Sequence, residues 1–242
     1  MNYKVTIAFD GSGFNGWQFQ KNAPTVQAAM TEAAKRFFSS DATVTGCSRT
    51  DSGVHAVNYV CNIQTERCIP VDAVVRGMNT FLPDTVAVKH CETAAEDFHA
   101  RYDCVSKEYH YLIHNSQIPD PFMAKRAYLF SAALDVDKMA EDAAHIVGKH
   151  NFASFMASGS KITDPIRTVF DTSVKREDDL ITFSISADGF LYNMVRIIVG
   201  TLIDVNLRRS KMTVSEIIEA EDRSRAGFTA PPDGLYLYRV NY

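Results

Sequence analysis

The chain has 242 residues, 46% of them apolar, which is enough for one large domain or two packed halves with a substantial core. Its longest apolar stretch, residues 190–205, is interrupted by Asn193, Arg196 and Asp204, so no membrane-spanning helix is expected. The net charge of −4 runs against the basic footprint usual in nucleic-acid binders, although basic residues gathered on one face would supply it locally.

In chain order, residues 3–9 alternate apolar and polar in the manner of a strand. This opening has neither the charged start nor the apolar run of a secretory signal, so a cytoplasmic protein is expected. A glycine-rich loop (DGSGFNGWQ, residues 10–18) follows, holding the only tryptophan. Pro24 and Thr25 then open a helix in which Val26, Ala29, Met30, Ala33, Phe37 and Phe38 recur at helical spacing. Residues 42–45 and 57–63 read as strands on either side of a loop. A short helix is expected over 71–78, and strands over 85–91 and 105–115. In the latter Lys107, Tyr109, Tyr111 and Ile113 share one face. The second half repeats the theme: a helix over 135–147, strands over 168–175 and 180–187, a helix over 189–207 and a closing strand over 235–240.

This order of strands and helices points to an α+β fold with largely antiparallel pairing. The chain divides into an N-terminal half, residues 1–105, and a C-terminal half, residues 106–242, which includes the closing strand. Residues 117–125, with Pro119 and Pro121, are the nearest approach to a joint. Cys47, Cys61, Cys68, Cys91 and Cys104 lie scattered, without Cys-x-x-Cys or zinc-ligand spacing, as expected of reduced thiols.

The loop at residues 46–56 (GCSRTDSGVHA) displays Asp51 between two strands, with Gly46 and Gly53 at its bends. Taken alone, Asp-Ser-Gly is ordinary turn chemistry, and Arg49 could simply pair with Asp51 across the bend. The string RTDxGVHA, however, resembles the active-site loop of the tRNA pseudouridine synthase A (TruA) family. Four more segments resemble that family in its own order. They are Asp10-Gly11-Ser12 through Gly16-Trp17-Gln18 with Val26-Gln27; Phe98 to Tyr102 with Lys107 to Tyr111; Gly189 through Arg196 to Gly200; and Ala230-Pro231 to Leu237. The resemblance spans nearly the whole chain. Ser52, where the family often has alanine, and the missing glycine after the long helix are departures.

The resemblance implies an enzyme that converts uridine to pseudouridine in the anticodon stem and loop of tRNA, at roughly positions 38 to 40. It implies two related ferredoxin-like halves forming a curved, mixed, largely antiparallel sheet, with helices on one side and the active cleft along the other. It further implies a homodimer that needs neither metal nor organic cofactor, and it makes Asp51 the catalytic carboxylate. A carboxylate can act as a nucleophile and split one hard step into easier ones. The residues leave open whether Asp51 attacks C6 of the ring, attacks C1′ of the sugar, or assists elimination of the base.

Among the substrate-binding residues, Arg196 is expected to be the cation that keeps Asp51 ionised. It is placed opposite an apolar helix stripe formed by Phe190, Leu191, Met194, Val195, Ile198, Val199 and Leu202. Tyr109 matches the family's substrate-contacting tyrosine and can stack on a base taken out of its helix; Tyr111 reads as core. Leu235 is a candidate apolar wall opposite that base. Arg49 is a candidate to enter the RNA or bind a phosphate, and His55 reads as a brace for the loop and not as a general base. The main alternative is a non-catalytic tRNA-binding module, for which exposed aromatics on a sheet would serve but Asp51 would have no purpose. A hydrolase using Asp51 and His55 lacks a recognisable serine or cysteine nucleophile.

Overall fold

The computed structural model describes residues 1–159 and 162–242. By contacts the chain forms two compact units, Met1–Val105 together with Tyr236–Tyr242, and Ser106–Leu235.

The first unit runs β1 (Asn2–Phe9), α1 (Val26–Phe38), β2 (Ala42–Gly46), β3 (His55–Thr65), α2 (Val71–Asn79) and β4 (Val86–Ala94). This β-α-β-β-α-β order is the ferredoxin-like arrangement. β1 lies between β3 and β4, antiparallel to both, so that Val5 faces Cys61 on one side and Cys91 on the other. β2 pairs antiparallel with the far end of β3, Val44 opposite Ile63. The alternation in β1 is real burial: Tyr3, Val5, Ile7 and Phe9 are all buried. The apolar positions of α1 (Val26, Met30, Ala33, Ala34, Phe38) and of α2 (Val74, Met78) are buried as well. Thr25 caps α1 by accepting the Ala28 N–H.

The second unit holds β5 (Ser106–His114), β6 (Tyr128–Leu129), α3 (Val136–Ala144), β7 (Gly148–Asn151), β8 (Ile166–Glu177), β9 (Leu180–Ala187), α4 (Met194–Asn206) and α5 (Val214–Glu219). β9 is antiparallel to both β5 and β8, and β7 extends the sheet beyond β8; the short β6 runs parallel to β5. Leaving out β6 and β7, the order strand, helix, hairpin, helix repeats that of the first unit. The α+β class with mostly antiparallel pairing is therefore observed.

Several details differ from the sequence reading. The closing strand, β10 (Leu235–Asn241), groups by its contacts with the first unit from Tyr236 onward, whereas the sequence reading puts it in the C-terminal half. It runs parallel to β3, Tyr236 opposite His55; the Asn58 side-chain N–H donates to the Tyr238 carbonyl, and the Tyr242 hydroxyl donates to that of Ala100. Residues 117–125 lie inside the second unit. The long helix starts at Met194 instead of 189, because Asn193 adopts the left-handed conformation. It is also not amphipathic: Met194, Val195 and seven consecutive residues from Ile197 to Ile203 are buried, since α4 packs against α3, α5 and β5. Helix α5 was not expected. Its signal was available in Thr213 and Glu216, which form a reciprocal capping box.

Candidate active site

The site residues fall in both units. In the first, two loops are built against one another: residues 10–18 and residues 46–55. Gly16 has φ +81°, and a Cβ there would collide with the Thr50 carbonyl oxygen and sit 3.1 Å from the Asp51 carbonyl carbon. Gly11 presses in the same way against the Val54 carbonyl group. The Trp17 N–H donates to the Thr50 carbonyl at 3.2 Å, and the Gly53 N–H donates to that of Phe14 at 3.3 Å. Only glycine allows two backbones to come this close, so the sequence DGSGFNGW is explained by what it touches.

Asp51 sits at the turn so clamped. Its carbonyl accepts the Val54 N–H at 3.2 Å, Gly53 takes φ +81°, and the residue is half-buried. Beneath the loop Trp17 stacks on Tyr59 at 4.2 Å between centroids, and the Tyr59 hydroxyl donates to the Ser48 carbonyl. Gly46 leaves room for both rings, since a Cβ there would overlap them. Arg49 is exposed and its guanidinium makes no hydrogen bond or ion pair among the described residues, so an Arg49–Asp51 pair does not close the turn.

His55 is buried, with its ring stacked on Tyr236 at 4.6 Å and 20°. Its Nδ1 accepts the Gly11 N–H at 3.0 Å and lies 3.3 Å from an Asp10 carboxylate oxygen. One ring nitrogen cannot accept the first contact while donating to the second. The shorter bond comes from an N–H that can only donate, so Nδ1 is the acceptor in it. His55 thus ties the two loops together, as a brace does.

In the second unit Tyr109 is 6% exposed and meets Phe190 edge to face at 5.0 Å. Tyr111, on the same side of β5, is fully buried and donates its hydroxyl to the Pro231 carbonyl at 2.7 Å. Burial pushes the Tyr111 phenol well above its ordinary range, and the positive charge of Arg196 offsets part of that rise. Gly234 lies against the Leu112 carbonyl oxygen and the Tyr111 ring, where a Cβ would stand at 2.5 Å and 2.8 Å. This packing delivers Leu235, itself 6% exposed, to the start of β10.

Arg196 projects from the first turn of α4, half-buried. Its Nε–H donates to the Ala230 carbonyl at 2.7 Å and an Nη1–H donates to Asn193 Oδ1 at 2.8 Å. The main chain closes the same link, with the Ala230 N–H donating to the Arg196 carbonyl at 3.1 Å. Gly200 faces the Phe228 carbonyl, and a Cβ on Gly227 would stand 2.7 Å from the Gly200 oxygen, so residues 226–230 lie directly on the helix. Sequence reasoning placed Arg196 but missed what holds it. A backbone carbonyl such as that of Ala230 leaves no trace in sequence, and with the helix read over 189–207 Asn193 falls inside it and not at its start.

No group of three or more His, Cys, Asp or Glu arranged to hold a metal occurs among the described residues. Nor is any helix among them long and apolar enough to cross a membrane.

Comparison with known proteins identifies the family. Residues 5–103 and 143–242 match the family described as tRNA pseudouridine synthase. The tRNA pseudouridine synthase A of Acetivibrio thermocellus is 44% identical over 242 residues, covering 100% of this chain and 99% of that protein. That of Thermoanaerobacter sp. is 41% identical over 242 residues, with the same coverage. That of Bacillus subtilis is 42% identical over 245 residues, again covering 100% and 99%. With the family match extending over most of the chain and the relatives aligned over its full length, this chain belongs to the tRNA pseudouridine synthase family.

Proposed function

We propose that the chain isomerises uridine to pseudouridine in the anticodon stem and loop of tRNA, at about positions 38 to 40, with Asp51 as the nucleophile. The observation that carries this reading is the construction of the Asp51 turn. Asp51, half-buried as a residue, stands on backbone clamped through Gly11 and Gly16, where a side chain of any size would push the loops apart. Such clamping removes conformational freedom before substrate arrives, which is how orientation lowers a barrier.

The reaction breaks the bond from N1 to C1′ and forms one from C5 to C1′. The C5 proton leaves to solvent and N1 takes one up, so the product is an isomer. Attack at C6, attack at C1′ and assisted elimination all require an ionised Asp51, and Arg196 is the cation we assign to that task. Tyr109 stacks on the extruded base, its ring orientation steadied by Phe190, and Leu235 forms the apolar wall opposite. Exposed Arg49 enters the RNA or takes a phosphate. The enzyme works as a cytoplasmic homodimer, without metal or organic cofactor.

The test is tritium release from tRNA labelled at C5 of uridine, for the parent and for Asp51→Asn. The parent should release label and the variant should bind tRNA without release. Turnover by Asp51→Asn would remove Asp51 as the nucleophile. A parent that binds tRNA but releases nothing would point to a non-catalytic tRNA-binding module. Product mapped outside the anticodon arm would overturn the assigned positions.

A further inference from the structure

Asn193 is an unusual cap. It occupies the N-cap of α4 in the left-handed conformation, φ 59° and ψ 12°, which asparagine tolerates better than most residues but where caps are ordinarily extended. Its side chain, of a type well suited to capping, makes no capping hydrogen bond. The oxygen that would have accepted an N–H from the first turn is used instead on the guanidinium of Arg196, at 2.8 Å. Departures of this kind, with a specific contact in return, gather at functional sites.

The contact has a definite geometric effect. A guanidinium is planar, so a bond through Nε, to Ala230, and another through Nη1, to Asn193, hold it at two points and define its plane. The Asn193 Oδ1 thus serves a side chain three positions on instead of the backbone of the first turn.

We infer that Asn193 is a positioning residue for the isomerisation: it sets the plane in which Arg196 presents its charge to the reacting carboxylate. The inference rests on the role assigned to Arg196 above, and deepens it. It requires the amide oxygen, not merely a residue that tolerates positive φ.

The test uses Asn193→Gly, which keeps the backbone conformation available and removes only the acceptor. The variant should melt within a few degrees of the parent and bind tRNA within about threefold, while kcat for tritium release falls about 10- to 100-fold, as misorientation in a reacting site costs. In an Arg196→Lys background the same substitution should change kcat less than twofold, because the group it orients is gone. Nitrogen-detected NMR of the Arg196 guanidinium supplies a readout independent of turnover: resolved Nη1 signals in the parent should coalesce in Asn193→Gly. Parental kcat in Asn193→Gly, an equal fold-loss in both backgrounds, or an unchanged guanidinium spectrum would each overturn the inference. Failure of the functional reading looks different, for then the parent itself releases no tritium and the inference falls with it.

Discussion

Replacing Gly16 by alanine tests whether the loop of residues 10–18 really sets the position of Asp51. At φ +81° an alanine is strained by about 1–2 kcal/mol. Its Cβ would also collide with the Thr50 carbonyl, which has to retreat by about 1 Å. That retreat breaks the bond it accepts from the Trp17 N–H, worth about 1 kcal/mol. The sum, about 2–3 kcal/mol, corresponds to a melting temperature lowered by roughly 4–12 °C in a chain of this size. Because Thr50 precedes Asp51, the carboxylate moves with it, and a misplacement of about 1 Å can cost roughly 100-fold in kcat. Differential scanning calorimetry and single-turnover tritium release measure the two effects. Gly13→Ala is the control: its Cβ would meet nothing within 4 Å, so both quantities should stay at the parental level. A Gly16→Ala protein with parental melting and parental kcat would refute the argument that this close approach positions Asp51.

The other expectations concern the base platform, the thiols and the absence of a cofactor. Tyr109→Phe should keep most of the turnover, whereas Tyr109→Leu should lose at least tenfold, since base stacking is worth about 1–3 kcal/mol; equal losses would show that the hydroxyl matters and not the ring. Burial holds the Cys91 thiol up at about 11, against an ordinary 9.0. Between those values the unfolded chain gives up a proton that the folded chain keeps, so this group's contribution to stability is full below pH 9 and declines as pH rises to about 11. Denaturant midpoints from pH 8 to 11 should therefore fall less steeply in Cys91→Ala, and parallel declines would contradict it. Turnover should survive exhaustive chelation, a loss restored by added zinc being the contrary result.

Much of this protein is legible without coordinates because its signals are local. Period-two alternation in residues 3–9 and 105–115 and helical spacing in 26–38 follow from backbone geometry that a strand or helix imposes wherever it sits. The Asp51 loop is equally local, a short string of turn-forming and charged residues between two strands. What sequence could not supply are relations between distant segments. Nothing near residue 236 tells that it lies beside His55, yet that pairing carries the closing strand into the first unit and places a ring on the brace of the Asp51 loop. The glycines at 11 and 16 announce a bend, but only the folded chain names the Val54 and Thr50 carbonyls they must admit. The same holds for Arg196. A helical wheel set it opposite one apolar stripe, but the fold buries α4 on nearly every side and holds the guanidinium by Asn193 and Ala230. Periodicity is a property of neighbours along the chain; burial and hydrogen-bond partnership belong to neighbours in space, and only packing decides which residues those are.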